Sequence, residues 1–555
     1  MAIIHEFTSK KEYYNKLYQK RLNEGDLLGA FNLLKSLERE NYIDYNLYKN
    51  FGLIYFKMQL YEDALESFYK CLTIIDNDKK VVIYGYIGAT YHKISNTNMA
   101  GYYIQKFLQA KVVISEDFIN QTLADFIDEV TNVEDSFYLA YPYEKADFSK
   151  QLLEADELFK NGDYEGVIEL LSIIPNKNQY YFDALLKISV CKFLMNKVED
   201  AISDITVALE IEEDNVYALC NIISMYYEIN DKNSAKKYLK KLDGLQIEDE
   251  DELYKVIMLN CEISRPKKAE YFGEKYLKIN AYDKSVLHML AIVKYNLTKF
   301  EESYKLFKKL YVINNTFVAS SYLAICENAI KYKSDREYKK LAYIYDVPKN
   351  LRKQIIEKLK AIMKNKEFVL GDENSKEFFS LMDYCFECQS YQMQASALSL
   401  ISQIRTYSTI YYLKNLLIKG NVYDKIKQGI VGYLLDEDSV AEVKVQVGGI
   451  YKEITLFRPY FIKDDKKSVF FTAYIYAFAK MCFYENNLKK LCTTCEDLYE
   501  KSKEMELETS IGDVQSLSAV IYELSNIRKI KNRRDFAKFF NANLRNIKKI
   551  KELFN

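Results

Sequence analysis

The 555-residue sequence contains no tryptophan, three histidines, five prolines and seventeen glycines. Proline and glycine punctuate turns and sheet corners, so their scarcity excludes a turn-rich sandwich or barrel and leaves helix as the dominant element. The three histidines, His5, His92 and His288, stand in unrelated stretches. No HExxH, GxSxG, GxxxxGK[ST] or GxGxxG pattern occurs, which removes the sequence signatures of zinc hydrolysis, the nucleophile elbow and nucleotide binding. No catalytic residue, metal or cofactor is expected, and the chain is expected not to be an enzyme. Long apolar runs are missing as well. Val469 to Ala479 gives eleven residues before Lys480, against the roughly 20 that a membrane helix requires. That run reads as a buried core helix, and no membrane partner is expected. Met1 to Lys11 lacks the apolar core of a secretory signal, and ten scattered cysteines fit reduced thiols in a cytoplasm.

What is present is an ordinary soluble composition, 49% hydrophobic and 28% charged, with 78 basic against 79 acidic residues and a net charge of −1. A chain so balanced has no global attraction for nucleic acid or anionic lipid. Its information lies in a rhythm. Small residues recur at Ala30 and Ala64, then at Ala201, Ala235, Ala269 and Ser303, 34 residues apart within each run, and Ala100 follows Ala64 after 36. Repeats of this length are stacked helical hairpins, because one hairpin alone cannot bury its apolar face.

The unit from Tyr45 to Asp76 shows the pattern in full. Tyr48, Phe51 and Tyr55 share a helical face, Gly52 leaves room for a second helix, Ala64 is the matching small surface, and Phe68 fills the space between hairpins. Tyr84, Ile87, Gly88, Tyr91, Ala100, Ile104 and Phe107 repeat it. This arrangement resembles the tetratricopeptide repeat (TPR), of bacterial type, across residues 10 to 330. The resemblance implies an all-α superhelix, or solenoid, with the first helix of each pair lining a concave groove that binds an extended peptide or a partner helix. Groove-facing offsets select Asn46, Lys49 and Asn50, then Tyr86 and His92, then Tyr217, Asn221 and Tyr227. Asparagine can bond a peptide backbone, and tyrosine offers flat apolar area with a polar tip. The lysine–asparagine pairs are similar to the carboxylate clamp of chaperone-binding TPR proteins, without its continuation in the next unit.

The expected organisation is a TPR solenoid over 1–330 with an irregular helical stretch at 112–146, a HEAT-like helical region over 331–440, a β-hairpin over 441–459 and a C-terminal helical domain over 465–555. Val347-Pro348 marks a break, and Asn365 to Asn374 reads as a loop. The hairpin is read from alternating valines at Val443, Val445 and Val447, a Gly448-Gly449 turn, and the return through Ile450, Ile454 and Leu456.

Between Arg528 and Leu553 stand ten basic and two acidic residues. Residues 533–553 resemble the helix-turn-helix of bacterial transcription regulators, with Ala537 small at the helix crossing and Asn541 where the family prefers glycine. The resemblance implies nucleic-acid contacts from Arg533, Arg534, Arg545, Asn546, Lys548 and Lys549. A basic cap paired with acidic neighbours is the alternative. The Cys385/Cys388 and Cys492/Cys495 pairs lie in helical patterns about a hundred residues apart, and are read as buried thiols, not a zinc ribbon. The functional expectation is a cytoplasmic protein-interaction scaffold holding a peptide or protein in its groove. A partner- or ligand-controlled DNA-binding regulator is the alternative.

Overall fold

A computed structural model describes residues 10–554 apart from 76–79, 109–113, 115, 132–145, 161, 315, 333–337, 365–371, 388–389, 438, 464, 466–467, 506–510 and 531. Most of the expected loop at 365–374, much of the irregular stretch at 112–146, and Cys388 fall outside the described residues. The chain divides into two compact units. One combines Met1–Phe126 with Lys353–Asn555, and the other is Ile127–Arg352.

The first unit opens with three helical hairpins: α1 (Lys10–Asn23) with α2 (Leu27–Arg39), α3 (Tyr45–Lys57) with α4 (Tyr61–Ile74), and α5 (Lys80–Lys93) with α6 (Thr97–Leu108). Helix α7 (Asp117–Thr131) follows. The second unit holds α8 (Ser149–Lys160) with α9 (Tyr164–Leu171), α10 (Tyr181–Leu194) with α11 (Val198–Ile211), and α12 (Val216–Glu228) with α13 (Lys232–Leu242). It continues with α14 (Glu250–Glu262) and α15 (Pro266–Ile279), α16 (Lys284–Asn296) and α17 (Phe300–Ile313), and α18 (Phe317–Lys331). After α19 (Lys349–Lys364), which begins directly behind Pro348, come α20 (Asp372–Glu387), α21 (Tyr391–Ile401), α22 (Tyr407–Leu416) and α23 (Asp424–Leu435). Strands β1 (Glu442–Val447) and β2 (Ile450–Thr455) precede the last five helices: α24 (Val469–Met481), α25 (Leu488–Glu504), α26 (Val514–Leu524), α27 (Arg533–Phe539) and α28 (Leu544–Leu553). The fold is all-α with TPR-type hairpins and, among the described residues, one two-stranded sheet.

The small anchors do what their spacing implies. Ala30, Ala64, Ala100, Ala201, Ala235, Ala269 and Ser303 are fully buried. A Cβ added at Gly52 would stand 2.3 Å from the Phe68 ring, and one at Gly88 would stand 2.6 Å from Ile104. The two helices of a hairpin therefore approach to near backbone contact. Ser303 completes the same packing with a hydrogen bond, its hydroxyl donating to the Ala291 carbonyl at 2.7 Å.

The rhythm is also written in the backbone. Gly25 and Gln59 lie 34 residues apart, Ser95 follows, and Gly162, Asn196, Asn230, Ser264 and Thr298 are again 34 apart; all have positive φ. Each sits behind the first helix of its hairpin, and the next residue's N–H reaches back to close it. Leu60 donates to the Tyr55 carbonyl at 2.9 Å, and Lys299 to the Lys294 carbonyl at 2.9 Å. This is the Schellman closure, which satisfies carbonyls that a helix end would otherwise leave unpaired. Asn541, at φ 53, belongs to the same class, with the Ala542 N–H on the Ala537 carbonyl at 2.9 Å. The turn that resembled a helix-turn-helix is thus the same closure used throughout the repeats.

The hairpin pairs Val447 with Ile450 across Gly448-Gly449, both glycines having positive φ, as a tight two-residue turn requires. Val443, Val445 and Ile454 are buried. Arg458 ties its end to α23, donating to the carbonyls of Leu435 at 2.8 Å, Leu434 at 3.1 Å and Glu437 at 2.7 Å. The hairpin tip rests on the N-terminal hairpins of its own unit. Tyr91 and Tyr103 donate to the Gly449 carbonyl at 3.1 and 3.0 Å, and Tyr69 joins them. Lys80 pairs with Glu453 at 2.7 Å. Tyr84 and Tyr91 lie about half a turn around α5 from Tyr86, Ala89 and Lys93, so the hairpin docks away from the groove face.

Candidate protein-binding grooves

In the first unit, α7 covers part of the expected groove. Ile119, Leu123 and Phe126 share one buried cluster with Phe56, Tyr86 and Ala89. Phe118 packs on Phe56 with ring centroids 5.7 Å apart, and the Lys57 ammonium stands 4.5 Å from the Phe118 ring centre. The Tyr86 hydroxyl donates to Glu116, and the His92 ring meets the edge of Phe126 at 5.2 Å. Tyr86 and His92 are therefore engaged by the protein itself in this conformation. Asn46, Lys49 and Asn50 do come together, with Asn15 and Gln19 from α1, around a polar cavity of about 310 Å³.

The second unit presents a longer concave face. A cavity of about 240 Å³ is lined from three successive first helices: Asp156 and Phe159 of α8, Leu186, Lys187 and Val190 of α10, and Tyr217 and Asn221 of α12. Phe159, Leu186 and Val190 give it an apolar floor. Lys187 pairs with Asp156, which places a cation and an anion at one edge. Burial, then the nearby carboxylates of Asp251, Asp249 and Glu252, raises the Tyr217 pKa, so its hydroxyl remains a neutral donor at physiological pH. Tyr227, the other tyrosine expected there, packs half-buried against the repeat core.

Farther along this face, a stretch of the chain's own backbone lies in the groove. Residues 338–347 are non-helical. The Asn296 amide donates to the Leu341 carbonyl at 2.9 Å, while the Leu341 N–H donates to the Asn296 side-chain oxygen at 2.7 Å. The His288 Nε2 bonds the Ile344 carbonyl at 2.9 Å, and the Tyr322 hydroxyl donates to the Asp346 carbonyl at 2.9 Å. Since a carbonyl only accepts, Nε2 carries the proton. His288 is 2% exposed and lies edge-on against the stacked rings of Phe307 and Tyr322. Burial pulls its pKa down to about 4. His288 and Asn296 stand 15 and 7 residues before Ser303, the offsets of Lys49 and Lys57 before Ala64. Offset counting through every unit would have found them, but nothing in the sequence marked what they hold.

Among the described residues, one carboxylate cluster meets the spacing of a cation site. Glu270, Glu274 and Glu302 each offer an oxygen within 4.8 Å of the others. The Lys294 ammonium occupies their centre, at 2.9, 2.6 and 2.6 Å, so the protein supplies its own cation. Cys492 and Cys495 are buried, as is Cys385.

At the C-terminus, Arg533 pairs with Glu523 at 3.0 Å, Lys551 shares that carboxylate, and Arg528 meets Glu485 at 3.2 Å. The Asn546 amide donates to Asp513 at 2.7 Å. Arg534, Arg545, Lys548 and Lys549 are exposed. All six residues of the expected nucleic-acid set are exposed, and Arg533, Asn546 and Lys548 also have acidic partners, Lys548 meeting Glu552 at 3.8 Å. No helix among the described residues is long and apolar enough to cross a membrane.

Neither a family model nor a curated protein matches the sequence. Among solved structures, the chain is similar to a TPR protein from Parabacteroides merdae, at 15% identity over 48% of this chain and 98% of that one, with a TM-score of 0.27. It is similar to yeast Tom70, at 12% identity over 90% of this chain and 97% of that one, with a TM-score of 0.24. The TPR2AB domain of yeast Sti1, in a pHSP90 complex, matches at 16% identity over 48% of this chain and 97% of that one, with a TM-score of 0.20. At these values the likenesses carry no argument about partners, and the reading of function rests on the grooves.

Proposed function

We propose that the chain is a non-enzymatic, cytoplasmic protein-interaction scaffold that holds an extended segment of a protein partner along the concave face of its second unit. The carrying observation is the cavity shared by α8, α10 and α12, to which three consecutive first helices each contribute lining residues. Such a surface can hold one apolar side chain over Phe159, Leu186 and Val190 while Asn221 and Tyr217 bond the main chain. In the first unit, Asn46, Lys49 and Asn50 offer a more polar cavity of the same origin, suited to a carboxylate or a backbone amide. The test is selection of peptides from a displayed library with the full chain. Selected peptides should lose at least ten-fold in affinity on Asn221→Ala with Leu186→Ala, while Tyr407→Ala on the other unit leaves them unchanged. Selection that yields no peptide sensitive to the groove pair rejects the reading.

The alternative, a regulator that touches DNA through its C-terminus, draws on the exposed cations Arg534, Arg545, Lys548 and Lys549. It requires DNA binding by the full chain that fades steeply with salt and falls on Arg545→Ala with Lys548→Ala. No binding at low salt removes it.

A further inference from the structure

The stretch 338–347 does not behave as an ordinary connection. Loops run over the surface and give their backbone groups to water. Here the backbone of Leu341, Ile344 and Asp346 is read by three side chains, Asn296 and His288 from α16 and Tyr322 from the next first helix, α18. Asn296 reads both the donor and the acceptor of one residue. Tyr343 lies partly buried against the repeat core, its phenol beside Asn296 and Cys261. Side chains giving main-chain hydrogen bonds, with a pocket for an alternate residue, are how a groove reads an extended peptide.

The hold is also shallow. Ile344 and Tyr345 are 42% and 48% exposed, and Lys339, Lys340 and Ala342 are exposed too. Val347 is the one fully buried side chain between Tyr338 and Val347. A permanent core element would bury its isoleucine.

We propose that residues 338–347 are a tethered occupant of the α14–α18 section of the groove, exchanged in trans for a partner segment of the same chemistry. That segment is an extended, uncharged Leu-x-Tyr stretch, its leucine backbone on Asn296 and its tyrosine against Cys261. The inference rests on the scaffold reading and adds to it the partner's pattern and a built-in competitor. Tethering gives an effective concentration on the order of 1 mM, so a segment binding the open groove at about 0.1 mM would be held back about ten-fold.

The test uses the full chain and a fluorescent peptide with the sequence of residues 338–347. Leu341→Pro removes the N–H given to Asn296 and should raise peptide affinity about ten-fold over the unaltered protein. Asn296→Ala in that background should abolish the gain. A scrambled peptide should not respond. Unaltered protein gives an independent reading by hydrogen exchange: the Leu341 amide should exchange faster than those of α16, and faster still with several millimolar peptide. Leu341 exchanging only together with α16, unmoved by peptide, overturns the proposal, as does equal peptide affinity in a folded Leu341→Pro protein. Library peptides that depend on Asn221 would survive either result, so failure here is distinct from failure of the scaffold reading.

Discussion

Lowering the pH should loosen the groove segment, because His288 is neutral where it sits. Its imidazole has a pKa of about 4 in the closed state, set by burial, and returns to about 6.5 once solvated. The open state therefore takes up a proton that the closed state refuses. The closed state keeps its full advantage above pH 6.5, loses it progressively as pH falls, and stops losing it near pH 4, where both forms are protonated. Linkage over that gap gives a loss of about 2 kcal/mol at pH 5 relative to pH 7, or about twenty-fold in the opening equilibrium. The Leu341 amide, held by Asn296 at 2.7 Å, reports that opening by hydrogen exchange once intrinsic rates are corrected. Its protection factor should fall about twenty-fold from pH 7 to pH 5, and His288→Phe should flatten the profile. With three histidines in the chain, ring-labelled NMR can follow His288 directly. Titration of His288 near pH 6.5, or protection independent of pH, would refute the reasoning.

Three further outcomes follow from the backbone and its charges. Thr298 is β-branched at φ 61, a conformation costing roughly 1–2 kcal/mol; Thr298→Gly returns part of that as unfolded-state entropy and should stabilise the second unit by about 0.5–1 kcal/mol in denaturant melts, whereas Thr298→Ala should not. Gly449 has φ 81, and a Cβ there would stand 2.6 Å from the Tyr91 hydroxyl; Gly449→Ala should cost about 1–3 kcal/mol and speed exchange of the Tyr451 amide, which donates to Tyr103 at 2.9 Å. Lys294→Ala leaves Glu270, half-buried and still paired with Lys299 at 2.7 Å, beside two exposed carboxylates that have lost their shared ammonium, and should destabilise by about 1 kcal/mol, well below the figure for a fully buried pair; an unchanged melt would show that the trio does not need Lys294.

The repeat architecture was legible because it is periodic. The spacing from Ala201 to Ser303 marks where helices must nearly touch, and Gly52 and Gly88 mark the partner surface. The hairpin was legible for the same reason, since strand alternation and Gly448-Gly449 are local signals. The groove residues were legible as positions and not as contacts. Asn46 with Lys49 and Tyr217 with Asn221 line cavities as their offsets suggest, yet Tyr86 and His92, chosen by the same offsets, lie under α7. Nothing periodic announces that α7 folds back, because Phe118 and Phe126 would suit any amphipathic helix. The segment at 338–347 was still harder to see. An extended ligand-like stretch has no moment and no repeat, and its meaning comes from Asn296 and His288, more than forty residues earlier.

The tyrosines around Gly449 set a condition on the protein's birth. Tyr103 and the carbonyl it holds are 346 residues apart, with the whole of Ile127–Arg352 made in between. At roughly 5–20 residues per second, the ribosome needs on the order of 20 to 70 seconds to deliver the hairpin after α6 has emerged. For that interval the hydroxyls of Tyr69, Tyr91 and Tyr103 lack the carbonyl they later share. The first unit is thus begun first and finished last, and the inserted unit has time to complete its own folding before its host is closed.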